Sequence, residues 1–216
     1  MDKTRSMAAL FDFDGVVVDT EGQYTHFWDK QGAHYLGEKE NFGRKIKGQT
    51  LKQIFDGYFA GMDREQDEIT RELHLFEEEM SYEYIPGVVD FMKELREAGI
   101  SIAIVTSSNN AKMEQVYKVH PELKGMVHSI LTAESFTRSK PDPDCFLLAA
   151  SLFGIAPVDC VVFEDSFHGL AAGRAAGMCV VGLSTTNSKL DIVDKCNEVI
   201  PDFVNYNTEK MEAVMR

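Results

Sequence analysis

Several short apolar runs lie along the chain without strict alternation of polar positions: Met7 to Phe13, Ser101 to Val105, Cys160 to Phe163, Cys179 to Leu183 and, more weakly, Ser129 to Thr132. Runs of this length that lack a polar face predict strands covered on both sides. Between them the spacing turns helical. Val88 to Ala98 carries apolar residues at helical intervals and ends at Gly99, and Asp144 to Phe153 and Leu170 to Ala176 read the same way. Strands alternating with helices predict an α/β fold with a Rossmann-like parallel sheet flanked by helices. The stretch from about Glu21 to Tyr84 departs from this pattern. It has no β run, is charged and aromatic, and holds helical segments at Leu51 to Phe59 and Glu65 to Met80 before the turn at Ile85-Pro86-Gly87. It predicts a helical insert after the first strand. A terminal helix is expected from Asn207 to Arg216.

At 216 residues the chain suits one large domain, or one domain with a smaller insert. Its net charge of −13 argues against nucleic acid or an anionic membrane as partner, and any anionic substrate needs a local cation. Four scattered cysteines (Cys145, Cys160, Cys179, Cys196) with no C-x-x-C pair read as buried reduced thiols. The N-terminal apolar stretch is too short for a signal peptide, and no run is long enough to span a membrane. The expectation is a cytoplasmic protein, with monomer as the default state.

The chemistry gathers at strand ends, where ligands bind in open α/β sheets. Asp12 and Asp14, two positions apart after the first strand, are expected to share a side and face one crevice. Two carboxylates held that close need a cation or a proton between them. Glu164 and Asp165 end another strand, and Ser166 is placed to cap the next helix. Together the two acid pairs suggest oxygen ligands for one hard cation such as Mg²⁺. Thr106 to Asn110 offers hydroxyls and backbone N–H groups for phosphate oxygens. Lys140, fixed in direction by Pro141 and Pro143, could balance charge beside the acids.

Competing motifs fail. There is no G-x-G-x-x-G, no G-x-S-x-G and no histidine pair with zinc spacing. Residues 43–50 nearly match a P-loop, but Gln49 stands where the lysine is needed and no strand precedes it. Gly169, Gly173 and Gly177 recur every four residues and read as close helix packing.

In order and separation, D-x-D-G at 12–15, Thr106, Lys140 and E-D at 164–165 resemble the haloacid dehalogenase superfamily. D-F-D-G-V-V-V-D-T-E and S-K-P-D-P-D resemble its β-phosphoglucomutase-like and sugar-phosphatase branch. The resemblance implies a core of residues 1–20 and 86–216 and a helical cap of residues 21–85. It implies a Mg²⁺-dependent phosphatase acting on a small phosphorylated metabolite, a sugar or polyol phosphate. Asp12 would be the nucleophile that forms an aspartyl-phosphate and Asp14 the general acid/base. Mg²⁺ would be held by Asp12, the Asp14 carbonyl, Asp165 and Glu164, directly or through water. Thr106 and Lys140 would bind the phosphoryl group. Gly15, Thr20, Ser107, Ser108 and Asn110, with Lys47 and Gln49 of the cap, complete the implied phosphate and substrate contacts.

Two departures bear on the reaction. Where the mutase pattern has a histidine four residues after the threonine of D-T, this chain has Tyr24, with His26 two further on. Where the mutase carries an arginine after K-G, this chain has Leu51, and Lys52 beside it would face elsewhere. Both favour hydrolysis over isomerisation. A catalytically silent binding module and a mutase are the alternatives. Dehalogenation does not keep the second aspartate of D-x-D, and C–P cleavage needs a Schiff-base lysine that nothing in the insert marks. Arg44 and Lys45 are either substrate contacts or solvated charges, and His26 reads as a partly buried cap side chain.

Overall fold

The computed structural model describes residues 6–38 and 41–216. The first five residues of the expected core segment lie outside the described residues. Among the described residues, six strands form one parallel sheet: β1 (Ala8–Phe11), β2 (Ser101–Val105), β3 (Ser129–Leu131), β4 (Cys160–Glu164), β5 (Cys179–Leu183) and β6 (Glu198–Ile200), in the order β3-β2-β1-β4-β5-β6. The first strand is thus central, with Phe11 opposite both Ile104 and Phe163. The apolar pattern does not reveal β6, a three-residue edge strand with a glutamate at its start and too few apolar residues to stand out.

The absence of polar alternation has a direct cause. Ala9, Phe11, Val161 and Phe163 point into one apolar cluster, and Ala8, Leu10, Cys160 and Val162 into another on the opposite face. The first face holds α5 (Val88–Glu97), α6 (Asn110–Val119) and the C-terminal α11 (Thr208–Val214). At its centre Phe11 stacks on Phe163 at 4.6 Å, with Phe91, Phe203 and Tyr206 packed around them. Such aromatic pairs add to the stabilisation from burial itself. The second face is covered by α8 (Asp144–Phe153) and α9 (Phe167–Ala175). Two short helices, α7 (Leu123–Met126) and α10 (Lys189–Ile192), fill connections. The four cysteines are unpaired; Cys145 and Cys160 are buried, while Cys179 and Cys196 are half-buried rather than fully buried.

Between β1 and β2, α1 (Glu21–Gln31) continues as a π-helical stretch (Gly32–Leu36) and is followed by α2 (Phe42–Lys45), α3 (Leu51–Tyr58) and α4 (Asp63–Glu79). These helices share an apolar cluster of their own, built on Phe27, Trp28, Phe42, Ile54, Phe59, Ile69 and Leu73. The α3 start is a capping box: Thr50 accepts from the Gln53 backbone, and the Gln53 side chain accepts from the Thr50 N–H at 2.8 Å. No helix among the described residues is long and apolar enough to cross a membrane.

Candidate active site

The carboxyl ends of the three central strands converge. The backbone N–H of Asp12 still bonds Phe163 O at 2.9 Å, and that of Thr106 bonds Leu131 O at 2.9 Å, so both residues are held in line with the sheet. Asp12 and Asp14 reach one cavity for a different reason than strand alternation. The strand ends at Phe11, and the chain then turns tightly, with the N–H groups of Val16, Val17 and Val18 all directed at Phe13 O. Gly15 sits in this turn at φ +75°, and a Cβ there would lie 2.3 Å from Asp165 Oδ2. The glycine of D-x-D-G is therefore required both by backbone conformation and by the approach of Asp165.

Lys140 is fully buried, and its ammonium spends its three donors on Asp12 Oδ1 (2.8 Å), Glu164 Oε1 (2.6 Å) and Val105 O (3.1 Å). Burial alone would strip its charge, but the Asp12 and Glu164 carboxylates outweigh that and hold its proton more tightly than usual. Asp12 is pushed up to about 8, by desolvation first and by Glu164 second, with Lys140 opposing. Asp165 is raised well above the ordinary carboxyl value by its burial and by Glu21, Glu164 and Asp12. Neither of its oxygens makes a hydrogen bond; Thr186 is close enough to ease its charge but not placed to donate with normal geometry.

Asp12, Glu164 and Asp165 each bring a carboxylate oxygen within 4.8 Å of the others. Ionised, three carboxylates against one lysine leave −3 + 1 = −2. An all-oxygen donor set, an excess of two negative charges and a buried carboxylate without a donor fit a hard divalent cation. Glu164 has less freedom than its neighbours. Its Oε2 accepts from the N–H groups of Asp165 and Ser166 and from the Ser166 hydroxyl, while Oε1 faces Lys140. Its carboxylate therefore orients the cluster, and Ser166 also caps α9 as expected. Gly169 is more than a packing residue, because a Cβ there would fall 1.7 Å from Glu164 Oε1. Gly173 does pack closely, against Val180 and Val162, and Gly177 takes a positive φ at the helix end.

The Asp14 side chain turns away from this cluster. Thr20 donates to its Oδ1 at 2.5 Å, Ser108 to its Oδ2 at 2.8 Å, and Lys112 to Oδ1 at 2.5 Å. Burial would raise its affinity for a proton, but the Lys112 charge and the hydrogen bonds from Lys112, Thr20 and Ser108 prevail and lower it. Lys112 was missed in the sequence because α6 has no strong apolar stripe. The available signals were Asn109, which caps that helix by accepting from the Lys112 N–H, and the four-residue step from Ser108 to Lys112.

The remaining expected residues divide. Thr106 lines the cavity and its hydroxyl accepts from the Ser108 N–H. Ser107 lines it too but donates to Gly48 O at 2.9 Å, across to the helical insert. The Ser108 hydroxyl is engaged by Asp14 and Lys112 rather than free for phosphate. Asn110 does not line the cavity; its Oδ1 accepts from Thr132, and Asn109 faces the cavity instead. Lys47 and Gln49 line it, with Lys47 ion-paired to Glu21. Lys52, expected to face elsewhere, is on the cavity rim paired with Asp56. Arg44 pairs with Asp191 and Lys45 with Glu38, both outside the cavity lining. His26 is exposed rather than partly buried. Tyr24 fills the mutase-histidine position with its hydroxyl on Glu77 Oε1 at 2.8 Å.

The cavity measures about 670 Å³ and lies between the strand ends and the insert. Its insert side is formed by Trp28, Leu51, Ile54, Phe55 and Leu73, with Glu77 as a buried acid. Contacts across the crevice hold the two sides together: Gln53 donates to Lys140 O at 3.0 Å, and His168 Nδ1 meets Lys47 O at 2.9 Å.

The chain is similar to several known proteins. The chain is 32% identical over 215 residues to hexitol phosphatase A of Escherichia coli, covering 96% of this chain and 94% of that one. It is 29% identical to the bifunctional riboflavin kinase/FMN phosphatase of Arabidopsis thaliana, of whose length it spans 56%, with 96% of this chain covered. It is 25% identical to β-phosphoglucomutase of Bacillus subtilis, covering 82% of each. In three dimensions it matches a HAD hydrolase of family IA from Entamoeba histolytica with a TM-score of 0.81 and 21% identity, covering 97% and 99% of the two chains. β-Phosphoglucomutase from Clostridium difficile superposes with a TM-score of 0.79 at 23% identity, covering 97% of each. A family model for haloacid dehalogenase-like hydrolases matches residues 7–177, a span that takes in Asp12, Lys140 and Asp165, and the chain belongs to that family.

Proposed function

We propose that the chain is a Mg²⁺-dependent phosphatase of a small phosphorylated metabolite, a sugar or polyol phosphate, working through an aspartyl-phosphate. The carrying observation is the Asp12 carboxylate at the cavity base, pinned by Lys140 on one oxygen beside an Asp165 with no hydrogen-bond donor of its own. The hexitol phosphatase relative supports the substrate class.

Asp12, Asp165 and the Asp14 carbonyl would hold Mg²⁺, with Glu164 behind them. When bound, that ion would screen the nucleophile from the phosphate and favour the ionised form of carboxyls that burial otherwise protonates. An Asp12 oxygen attacks phosphorus as the ester P–O bond breaks, and Asp14, which must first take up a proton from solvent against the pull of Lys112, gives that proton to the leaving oxygen. Water then attacks the aspartyl-phosphate, its proton passes to Asp14, and Asp12 leaves as a carboxylate. Thr106, in the cavity lining, holds the transferring group, while Lys140, whose three donors are all taken, orients the Asp12 carboxylate and balances its charge. Residues 21–85 act as the cap that excludes bulk water.

Phosphate release from hexitol, pentose and glycerol phosphates, with Mg²⁺ and with chelator, tests this reading against Asp12→Asn. Turnover that survives chelation or the substitution contradicts it. Glucose 6-phosphate appearing from β-glucose 1-phosphate and a trace of bisphosphate faster than free phosphate contradicts hydrolysis as the main reaction.

A further inference from the structure

Lys112 is almost as deeply buried as Lys140, yet it touches neither Asp12 nor the acidic cluster. Its ammonium donates to Asp14 Oδ1 at 2.5 Å and to Ser108 Oγ at 3.0 Å. The ring of Tyr24 covers it at 4.4 Å, and that of Phe13 lies 5.6 Å away. Lys112 is among the residues that line the cavity, but two hydrogen bonds and an aromatic face commit its ammonium to Asp14 and Ser108. Tyr24 belongs to α1 of the insert, and its hydroxyl ties it to Glu77 at the end of α4. A chain of contacts therefore runs from the insert to one carboxylate of the core: Glu77, Tyr24, Lys112, Asp14.

We propose that Lys112 is a positioning residue for Asp14, clamping its carboxylate against Ser108 and Thr20 and registering it on the helical insert through the Tyr24 ring. This rests on the reading of Asp14 as the acid/base group. It predicts that loss of the clamp harms proton transfer and spares the attack by Asp12. A nitrophenolate leaving group departs without a proton, whereas a hexitol alkoxide does not.

The test compares Lys112→Met with wild type on p-nitrophenyl phosphate and on a hexitol phosphate, in Mg²⁺. Expected for the variant are a pre-steady-state nitrophenolate burst within about threefold of wild type and a hexitol phosphate kcat reduced by about 10²-fold. KM should change little, and Lys112→Arg should recover part of the loss. Tyr24→Leu keeps the charge and removes the ring, which serves if Lys112→Met does not fold; a three- to tenfold loss confined to the hexitol ester is expected, on the order of one cation–π contact. Equal losses on burst and hexitol ester, a loss carried by KM, or no loss would overturn the proposal. Wild type that releases no phosphate from either ester overturns the phosphatase reading and the proposal with it.

Discussion

Alanine in place of Gly169 should destabilise this protein, against the usual rule. In a helix, Gly→Ala ordinarily gains about 1 kcal/mol. Gly169 lies in the first turn of α9, where the new Cβ would fall 1.7 Å from Glu164 Oε1 and 1.9 Å from its Cδ. Either the carboxylate leaves or the helix moves. A displaced Glu164 gives up its 2.6 Å contact to buried Lys140 and unpairs the N–H groups of Asp165 and Ser166. Breaking a buried pair outright costs about 3–5 kcal/mol. Here Asp12 still pairs with Lys140, and the helix gain offsets part of the loss, so a net cost of about 2–4 kcal/mol is expected. For a chain of this length that lowers the melting temperature on the order of 10 °C. Gly57 in α3 is the control, since a Cβ there meets nothing within 4 Å. Gly57→Ala should match or exceed wild type in thermal denaturation followed by circular dichroism. Gly169→Ala melting at or above wild type would refute the steric argument and the role given to Glu164.

Other expectations follow from the same geometry. Asp12 holds its proton up to about 8 in the fold against an ordinary 3.8, so between those values the native state binds more protons than the unfolded chain. In chelator, stability to urea should therefore fall as pH rises across that window, and Mg²⁺ should restore most at its upper end; a flat or rising chelator curve would contradict the burial assigned to Asp12. Asp165→Asn replaces a buried carboxyl that lacks a protein donor and must take up a proton to fold without the ion, so it should raise the chelator-state melting temperature while abolishing Mg²⁺-induced stabilisation. Retained stabilisation would place the ion elsewhere. Glu77 is buried in the cavity wall with one oxygen taken by Tyr24, leaving the other able to accept a substrate hydroxyl. Glu77→Gln should raise KM for a hexitol phosphate by about tenfold, the worth of one hydrogen bond to a charged group, and leave p-nitrophenyl phosphate unchanged. Equal effects on both would remove Glu77 from substrate recognition.

The strands were legible wherever both sheet faces are apolar, because Ala8 to Phe11 and Cys160 to Phe163 had no polar side to blur them. The acids were legible because strand ends in a parallel sheet share one crevice, which brought residues 12 and 164 together from 152 positions apart. What the sequence hid was pairing among those groups. Asp12 and Asp14 look equivalent along the chain, yet one faces Lys140 and the other Lys112. That division depends on the turn at Phe13 to Val18 and on a lysine 98 positions away, neither of which periodicity reports. Glycines were the least legible: three in one repeat answer to a carboxylate, to two valines and to a positive φ.

The decisive measurement is acid quenching of Asp14→Asn during turnover of p-nitrophenyl phosphate in Mg²⁺, followed by peptide mass mapping. Hydrolysis of the intermediate needs the missing base, so a phosphoryl group should accumulate on the peptide holding Asp12 and vanish in the Asp12→Asn, Asp14→Asn double variant. Turnover by wild type with no phosphorylated peptide in either trap, or with the phosphoryl group on another residue, would contradict Asp12 as the nucleophile.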